Sequence, residues 1–297
     1  MNKYCIVIFM AVLTVLTACK DGGAAASSEG PFQRVIVTTT VHTALFRELG
    51  AGALIVDTCD IDVNNPDIER IISLDPDAIF LSPYEGVSYE KIRKLGIPII
   101  EMADYLEPTP LKRAAWMKYY GKLLDREKQA DSLYNKVETA YTALADSVKG
   151  NRKKEKGKSV FSEKKYGDVW YVAGDSSYIA ALIRDAGGQY VFSDVKGSGS
   201  EAMSPEKVFE RAQDADIWLI KYNQATPLTL DELGKEWALY KELKAYKTGN
   251  VFGCNLTPTH YYEETPFHPE RLLRDYIIML SPNILKDNTL RYYDKVK

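Results

Sequence analysis

The sequence predicts an α/β protein with two parallel-sheet lobes, one long helix joining them, and a ligand cleft between the lobes. Three observations carry this. Short β-rich runs alternate with helical stretches in two separate blocks, the pattern of parallel strands with helices on their faces. Between the blocks, Ala130, Leu133, Tyr134, Val137, Ala140, Tyr141, Leu144 and Val148 keep a three-four apolar spacing with no strand to interrupt it. Parallel sheets bind ligands beyond the carboxyl ends of their strands, so two such sheets place the natural site between them.

The 297 residues are 45% apolar and 27% charged, which is enough to bury a core and excludes a mainly disordered chain. A net charge of −3 excludes nucleic acid as the main partner, because phosphate binding needs a basic footprint.

At the amino end, Lys3 precedes the uncharged apolar run Tyr4 to Leu16. That run is shorter than the roughly 20 residues a spanning helix needs, and it has a signal-peptide shape. Leu16-Thr17-Ala18-Cys19 resembles the bacterial lipobox, which implies cleavage after residue 18 and lipidation of Cys19. Lys20 to Pro31 is Gly/Ala/Ser-rich and reads as a flexible tether. The expected divisions are signal peptide 1–18, lipidated tether 19–31, first lobe 32–108, helical connection 109–150 and second lobe 159–297. The body is expected outside the cytoplasm, touching the membrane through the lipid alone. Of the remaining cysteines, Cys59 and Cys254 form either a disulfide or two buried thiols.

In the first block, Val35-Ile36-Val37 is a strand, followed by a helix closed at Gly50 and a strand at Leu54-Ile55-Val56. Asn65 and Pro66 start a helix to Leu74 with Ile68, Ile71 and Ile72 as its apolar stripe. Ala78 to Leu81 is a strand, Ser88 to Leu95 a helix stopped by Gly96, and Pro98 to Ile100 a strand. Thr109-Pro110 opens a helix to about Leu124, and Asp125 caps the long helix to about Val148. Asn151 to Lys158 reads as a basic solvated turn. In the second block, Val169 to Val172, Ile217 to Ile220 and Asn250 to Phe252 are strands. Helices are expected over Ser176 to Ala186, Pro205 to Ala212, Leu230 to Leu233, Trp237 to Tyr246 and His268 to Leu280.

Pro66 to Leu81 and Ser204 to Leu219 form a weak internal repeat. Each is a Pro-started helix with an early Glu, Glu69 or Glu206, then an aspartate-bearing turn and a buried strand. An early Glu suits the helix dipole and needs no other role.

These segments also carry a family resemblance. Ile68-Glu69-Arg70-Ile71 with Leu74 to Ile79, the helix stop Leu95-Gly96-Ile97-Pro98, Ser204 to Leu219, and Trp170 to Gly174 with Ala186-Gly187-Gly188 resemble the iron-complex and vitamin B12 class of ABC-importer substrate-binding proteins. The resemblance runs from Arg34 to about Leu280. It implies two α/β lobes on a helical backbone, a monomer with no catalysis and no resident cofactor. The implied cargo is a siderophore-bound iron, haem or cobalamin. It further implies that Glu69 and Glu206 salt-bridge to the membrane permease. The stretch Thr58 to Asn65 is shorter than the family pattern, which reduces the cleft wall on that side.

Tyr84, Tyr105, Trp170, Tyr171, Tyr222 and Tyr262 lie in or beside post-strand loops and are candidates to stack on a planar or macrocyclic ligand; core packing is the competing reading. Strand alternation lets only one of Trp170 and Tyr171 face the cleft. Two other functions stay in view. His42, His260 and His268 could serve a binder of bare Zn, Mn or Fe, although none has ligand spacing. An extracytoplasmic hydrolase would need a nucleophile and base. Gly174-Asp175-Ser176-Ser177 lacks an adjacent base, and Glu263-Glu264 reads as a solvated turn.

Overall fold

In the first lobe the strands are apolar at consecutive positions because both sheet faces are covered. In this computed structural model, which describes residues 30–58, 66–83, 88–152 and 157–297, β1 (Val35–Val37) is followed by α1 (Thr40–Glu48), β2 (Ile55–Asp57), α2 (Ile68–Ser73), β3 (Ala78–Leu81), α3 (Glu90–Arg93) and β4 (Ile99–Glu101). The sheet order is β2-β1-β3-β4, all parallel. Val35, Val37, Ala78 and Phe80 enter one core; Ile36, Ile79 and Leu81 enter the other. The expected signal peptide, Cys19, most of the tether, Cys59, Tyr84 and residues 153–156 of the basic turn lie outside the described residues; the joining helix takes Asn151 and Arg152 from that turn.

Local chemistry ends these elements as expected, with two corrections. Thr39 caps α1, and Gly50 and Gly96 turn the chain with positive φ. The cap of α2 is Asp67, whose carboxylate accepts the Arg70 N–H at 2.9 Å, so Pro66 stands before the helix. Asp125 terminates a helix instead of starting one. It takes φ +54° after α4 (Pro110–Leu123); its N–H donates to Lys122, and the Arg126 N–H donates to Gly121. This paired ending is a Schellman motif.

The long helix α5 (Glu127–Arg152) spans about 39 Å at 1.5 Å per residue. Its apolar stripe is shared. Ala130 and Val137 pack in the first lobe's core, Tyr141 and Val148 in the second's. One rigid element therefore belongs to both cores. The close approach of α4 depends on Gly121, where a Cβ would stand 2.4 Å from that of Ala130.

The second lobe continues with β5 (Ser159–Ser162), β6 (Trp170–Ala173), α6 (Tyr178–Asp185), β7 (Gln189–Tyr190), β8 (Ser200–Met203), α7 (Pro205–Ala212), β9 (Ile217–Tyr222), α8 (Leu230–Glu236), α9 (Lys244–Lys247), β10 (Val251–Asn255), α10 (Leu256–Thr259), α11 (Tyr261–Glu264), α12 (Pro269–Leu280) and β11 (Asp294–Lys295). Its sheet runs β7-β5-β9-β10 in parallel, with β11 antiparallel at the edge. The expected strand at Val169–Val172 is not in that sheet. It forms β6, an antiparallel ribbon with β8, while the short β5 supplies the sheet strand. Glu264 is not solvated either. Arg291 forks onto it at 2.7 and 2.8 Å, and the Tyr292 hydroxyl donates to it at 2.7 Å. Among the described residues no helix is long and apolar enough to cross a membrane.

The two sheets share one plan. Without β11, β7-β5-β9-β10 repeats the order β2-β1-β3-β4, so α2 before β3 corresponds to α7 before β9. The repeat read from the sequence is this correspondence. Glu69 and Glu206 are each the second residue of their helix, and both are exposed.

Candidate functional site

Three parallel strands of the first lobe end at one place. The loops after β1, β3 and β4 bring Thr39, Ser82, Asp104 and Tyr105 together. With Val41, His42 and Arg113 they line a cavity of about 260 Å³. The position is the one physics favours for a parallel sheet: strands deliver side chains there, and helix α1 begins there.

Asp104 organises the cavity. It is fully buried, and three donors converge on it. His42 Nε2 lies 2.6 Å and the Tyr120 hydroxyl 3.0 Å from Oδ1, while Arg113 Nε donates to Oδ2 at 3.0 Å. Burial works against the charged carboxylate, but His42 and Arg113 outweigh it and hold Asp104 below the usual range. An ionised Asp104 only accepts, so the His42 proton sits on Nε2. In the neutral ring Nδ1 then accepts from the Thr39 hydroxyl, 2.6 Å away. Thr39 Oγ1 also accepts the His42 backbone N–H as the cap of α1. This hydroxyl–imidazole–carboxylate chain has the order of a proton relay, yet both of its ends are engaged in structure.

The second lobe closes over this side. Helix α11 packs against α1, the Phe267 ring meets His42 at 5.6 Å, and the Arg113 guanidinium lies 5.7 Å from the Tyr178 ring centre. At the carboxyl ends of β5 and β9, Glu163 and Lys221 form a largely buried ion pair. Burial opposes the Lys221 charge and Glu163 outweighs it, raising its pKa. Glu163 at φ +67° and His260 at φ +49° adopt left-handed backbone, a strained state that concentrates at functional rims.

The six aromatic candidates separate. Tyr105 is on the cavity wall, 44% exposed, its hydroxyl donating to the Pro83 carbonyl at 2.5 Å. Tyr171 and Tyr262 are half-exposed and are not among the residues that line this cavity. Tyr222 turns into its own lobe; its hydroxyl accepts the Leu228 N–H, and its ring covers Gly253, where a Cβ would meet it at 2.8 Å. Trp170 is corrected. It is 0% exposed, packed with Phe161, Trp218 and Tyr240, and its Nε1 donates to the Ser162 carbonyl at 3.2 Å. Alternation along β6 buries Trp170 and exposes Tyr171. Tyr84 lies outside the described residues.

Arg113 is the residue that sequence reasoning passed over. At the first turns of a helix it reads as a solvated cation, and only its meeting with Asp104 marks it. The histidines do not converge. His42 is held by Thr39 and Asp104, His268 by Glu48 and Glu270. Among the described residues no three His, Cys, Asp or Glu side chains gather to hold a metal ion. Cys254 is a buried thiol, pushed up to about 11 by burial.

Comparison with known proteins places this geometry. An uncharacterized lipoprotein of Methanocaldococcus jannaschii is 30% identical over 237 residues, which is 78% of this chain and 54% of the relative. The chain therefore spans about half the length of that relative. Among solved structures, a periplasmic heme binding protein of Pseudomonas aeruginosa superposes with a TM-score of 0.68 at 14% identity, covering 90% of this chain and 98% of that one. An ABC-type Fe3+-hydroxamate transport protein of Saccharomonospora viridis gives 0.63 at 19% identity, covering 84% and 93%. These likenesses show the fold: two lobes on a helical backbone. Residues 62–256 match the family described as periplasmic binding protein. That match runs from ahead of α2 in the first lobe to the end of β10, the last parallel strand of the second, and the chain belongs to the periplasmic binding protein family.

Proposed function

We propose that this chain is the substrate-binding lipoprotein of an ABC importer. It takes a metal chelate (a ferric siderophore, haem or cobalamin) between its lobes and hands it to a membrane permease. The cavity carries this reading: it opens at the carboxyl ends of β1, β3 and β4, and Arg113 on its wall reaches Tyr178 of the other lobe. The family is one of binding proteins, and the solved structures named above bind haem or belong to Fe3+-hydroxamate transport. Glu69 and Glu206 stand at matching helix positions on the two lobes, which suits a pair of cationic sites on a permease. Cys19 is the lipid attachment point and the body works outside the cytoplasm.

Calorimetric titration of the full chain in detergent with ferrichrome, ferric citrate, haemin and cyanocobalamin tests the cargo. Saturable binding of one chelate at micromolar concentration or below is expected. A response to free Zn²⁺, Mn²⁺ or Fe³⁺ alone overturns the chelate reading.

A further inference from the structure

We propose that the cargo carries a carboxylate and that Arg113 grips it through both Nη nitrogens. The inference rests on the binding-protein reading and narrows its ligand class.

Arg113 has one anchor. Its Nε donates to Asp104, and its guanidinium faces the Tyr178 ring. Neither Nη has a hydrogen-bond partner among the described residues. The side chain is only 20% exposed and lines the cavity. A guanidinium pinned at Nε loses its freedom to swing, so its remaining planar fork is preorganised for an oxyacid with two parallel oxygens. Neither Nη is among the buried unpartnered polar atoms of the described residues, so the fork is open for a ligand oxygen to reach.

The rest of the wall agrees. Among the described residues Asp104 supplies the cavity's sole carboxylate, and its two oxygens are consumed by His42, Tyr120 and Arg113. No other acid among the described lining residues remains to take a cation. Ser82 adds a hydroxyl, and the amino end of α1, a helix of nine residues, opens beside it at Thr39. Its dipole favours negative charge. A volume of about 260 Å³ admits an arm of a large chelate rather than the whole. The fork and the small space together favour a planar carboxylate over a tetrahedral phosphate. Asp104 is the positioning residue; Arg113 is the one that touches cargo.

The test uses the full chain in detergent and paired probes: ferric citrate against ferrichrome, and a cobalamin monocarboxylic acid against cyanocobalamin, with metal-free citrate and inorganic phosphate alongside. In the unaltered chain the carboxylate member of a pair binds tighter by about 10- to 100-fold, the scale of hydrogen bonds to charged groups. Arg113→Gln abolishes that gap. Arg113→Lys keeps the charge beside Asp104 but lacks the fork and recovers only part of the gap, so loss of folding cannot mimic the result. Equal affinity within both pairs overturns the inference while leaving the chelate reading intact. Arg113-dependent binding of metal-free citrate, undiminished against its ferric complex, supports the inference and removes the chelate reading. Tighter binding of phosphate than of any carboxylate overturns the inference, and silence from every probe overturns both.

Discussion

His268 fastens the second lobe to the first: its Nε2, at the start of α12, lies 2.8 Å from Oε2 of Glu48, the last residue of α1. Glu270 holds the other ring nitrogen at 3.2 Å, and Arg271 and Glu264 also face the pair. Burial opposes the imidazolium, but the hydrogen bonds to Glu270 and Glu48 outweigh it and push His268 up to about 9. Glu48 moves the other way, lowered first by its hydrogen bond to His268.

The clasp should therefore be pH-dependent, with a definite sign. A raised folded pKa means that its contribution is complete below the ordinary value of 6.5 and is lost as pH rises through about 9. The Glu48 contribution is lost only as pH falls through its lowered value. Glu48→Gln should cost about 1 kcal/mol at neutral pH, at the low side because Glu48 is 41% exposed and screened. Thermal melts across this alkaline range check it: the unaltered chain loses stability and the variant's curve is flatter. Parallel curves would remove the clasp.

Asp104→Asn should be far more damaging. It removes the charge that holds Arg113, His42 and Tyr120 in a dry place, and breaking a buried pair from one side costs about 3–5 kcal/mol. Tyr120→Phe deletes a single donor and should cost about 1 kcal/mol. Urea denaturation of both variants tests the ranking; a small loss for Asp104→Asn would mean that water already serves the site.

Trp170 and Tyr171 should divide stability from surface. Trp170→Ala empties a packed aromatic cluster and should cost about 3–5 kcal/mol, whereas Tyr171→Ala should leave the melting temperature within about a degree or two. Trp170→Phe should leave chelate affinity unchanged by calorimetry. A specific loss of affinity in that variant would return Trp170 to the cleft.

Glu69→Ala combined with Glu206→Ala should spare cargo binding and melting temperature yet abolish most uptake in cells. Exposed charges of this kind steer docking and contribute little to folding. Uptake equal to the unaltered chain's would refute the docking role. For the anchor, Cys19→Ala should move the protein from the membrane fraction to the soluble one.

Much of the architecture was legible in the chain. Apolar runs marked β1, β3 and β9; Thr109-Pro110, Pro205 and Thr229 marked helix starts; and the stripe from Ala130 to Val148 announced the joining helix. The repeat that pairs Glu69 with Glu206 was visible for the same reason: caps, stripes and turns are local, and local spacing writes them into sequence. The post-strand loops holding Thr39, His42, Ser82, Asp104 and Tyr105 were likewise identifiable, because strand ends are local features. What tertiary structure alone decided is which of these groups meet. His42 and Asp104 are 62 residues apart, Glu48 and His268 220 apart. Arg113 became a site residue only when α4 carried it to Asp104, and Trp170 became core only when β6 folded over Phe161 and Trp218. A charge or a ring takes its role from the dielectric and partners around it, and those come from chain segments that no local pattern connects.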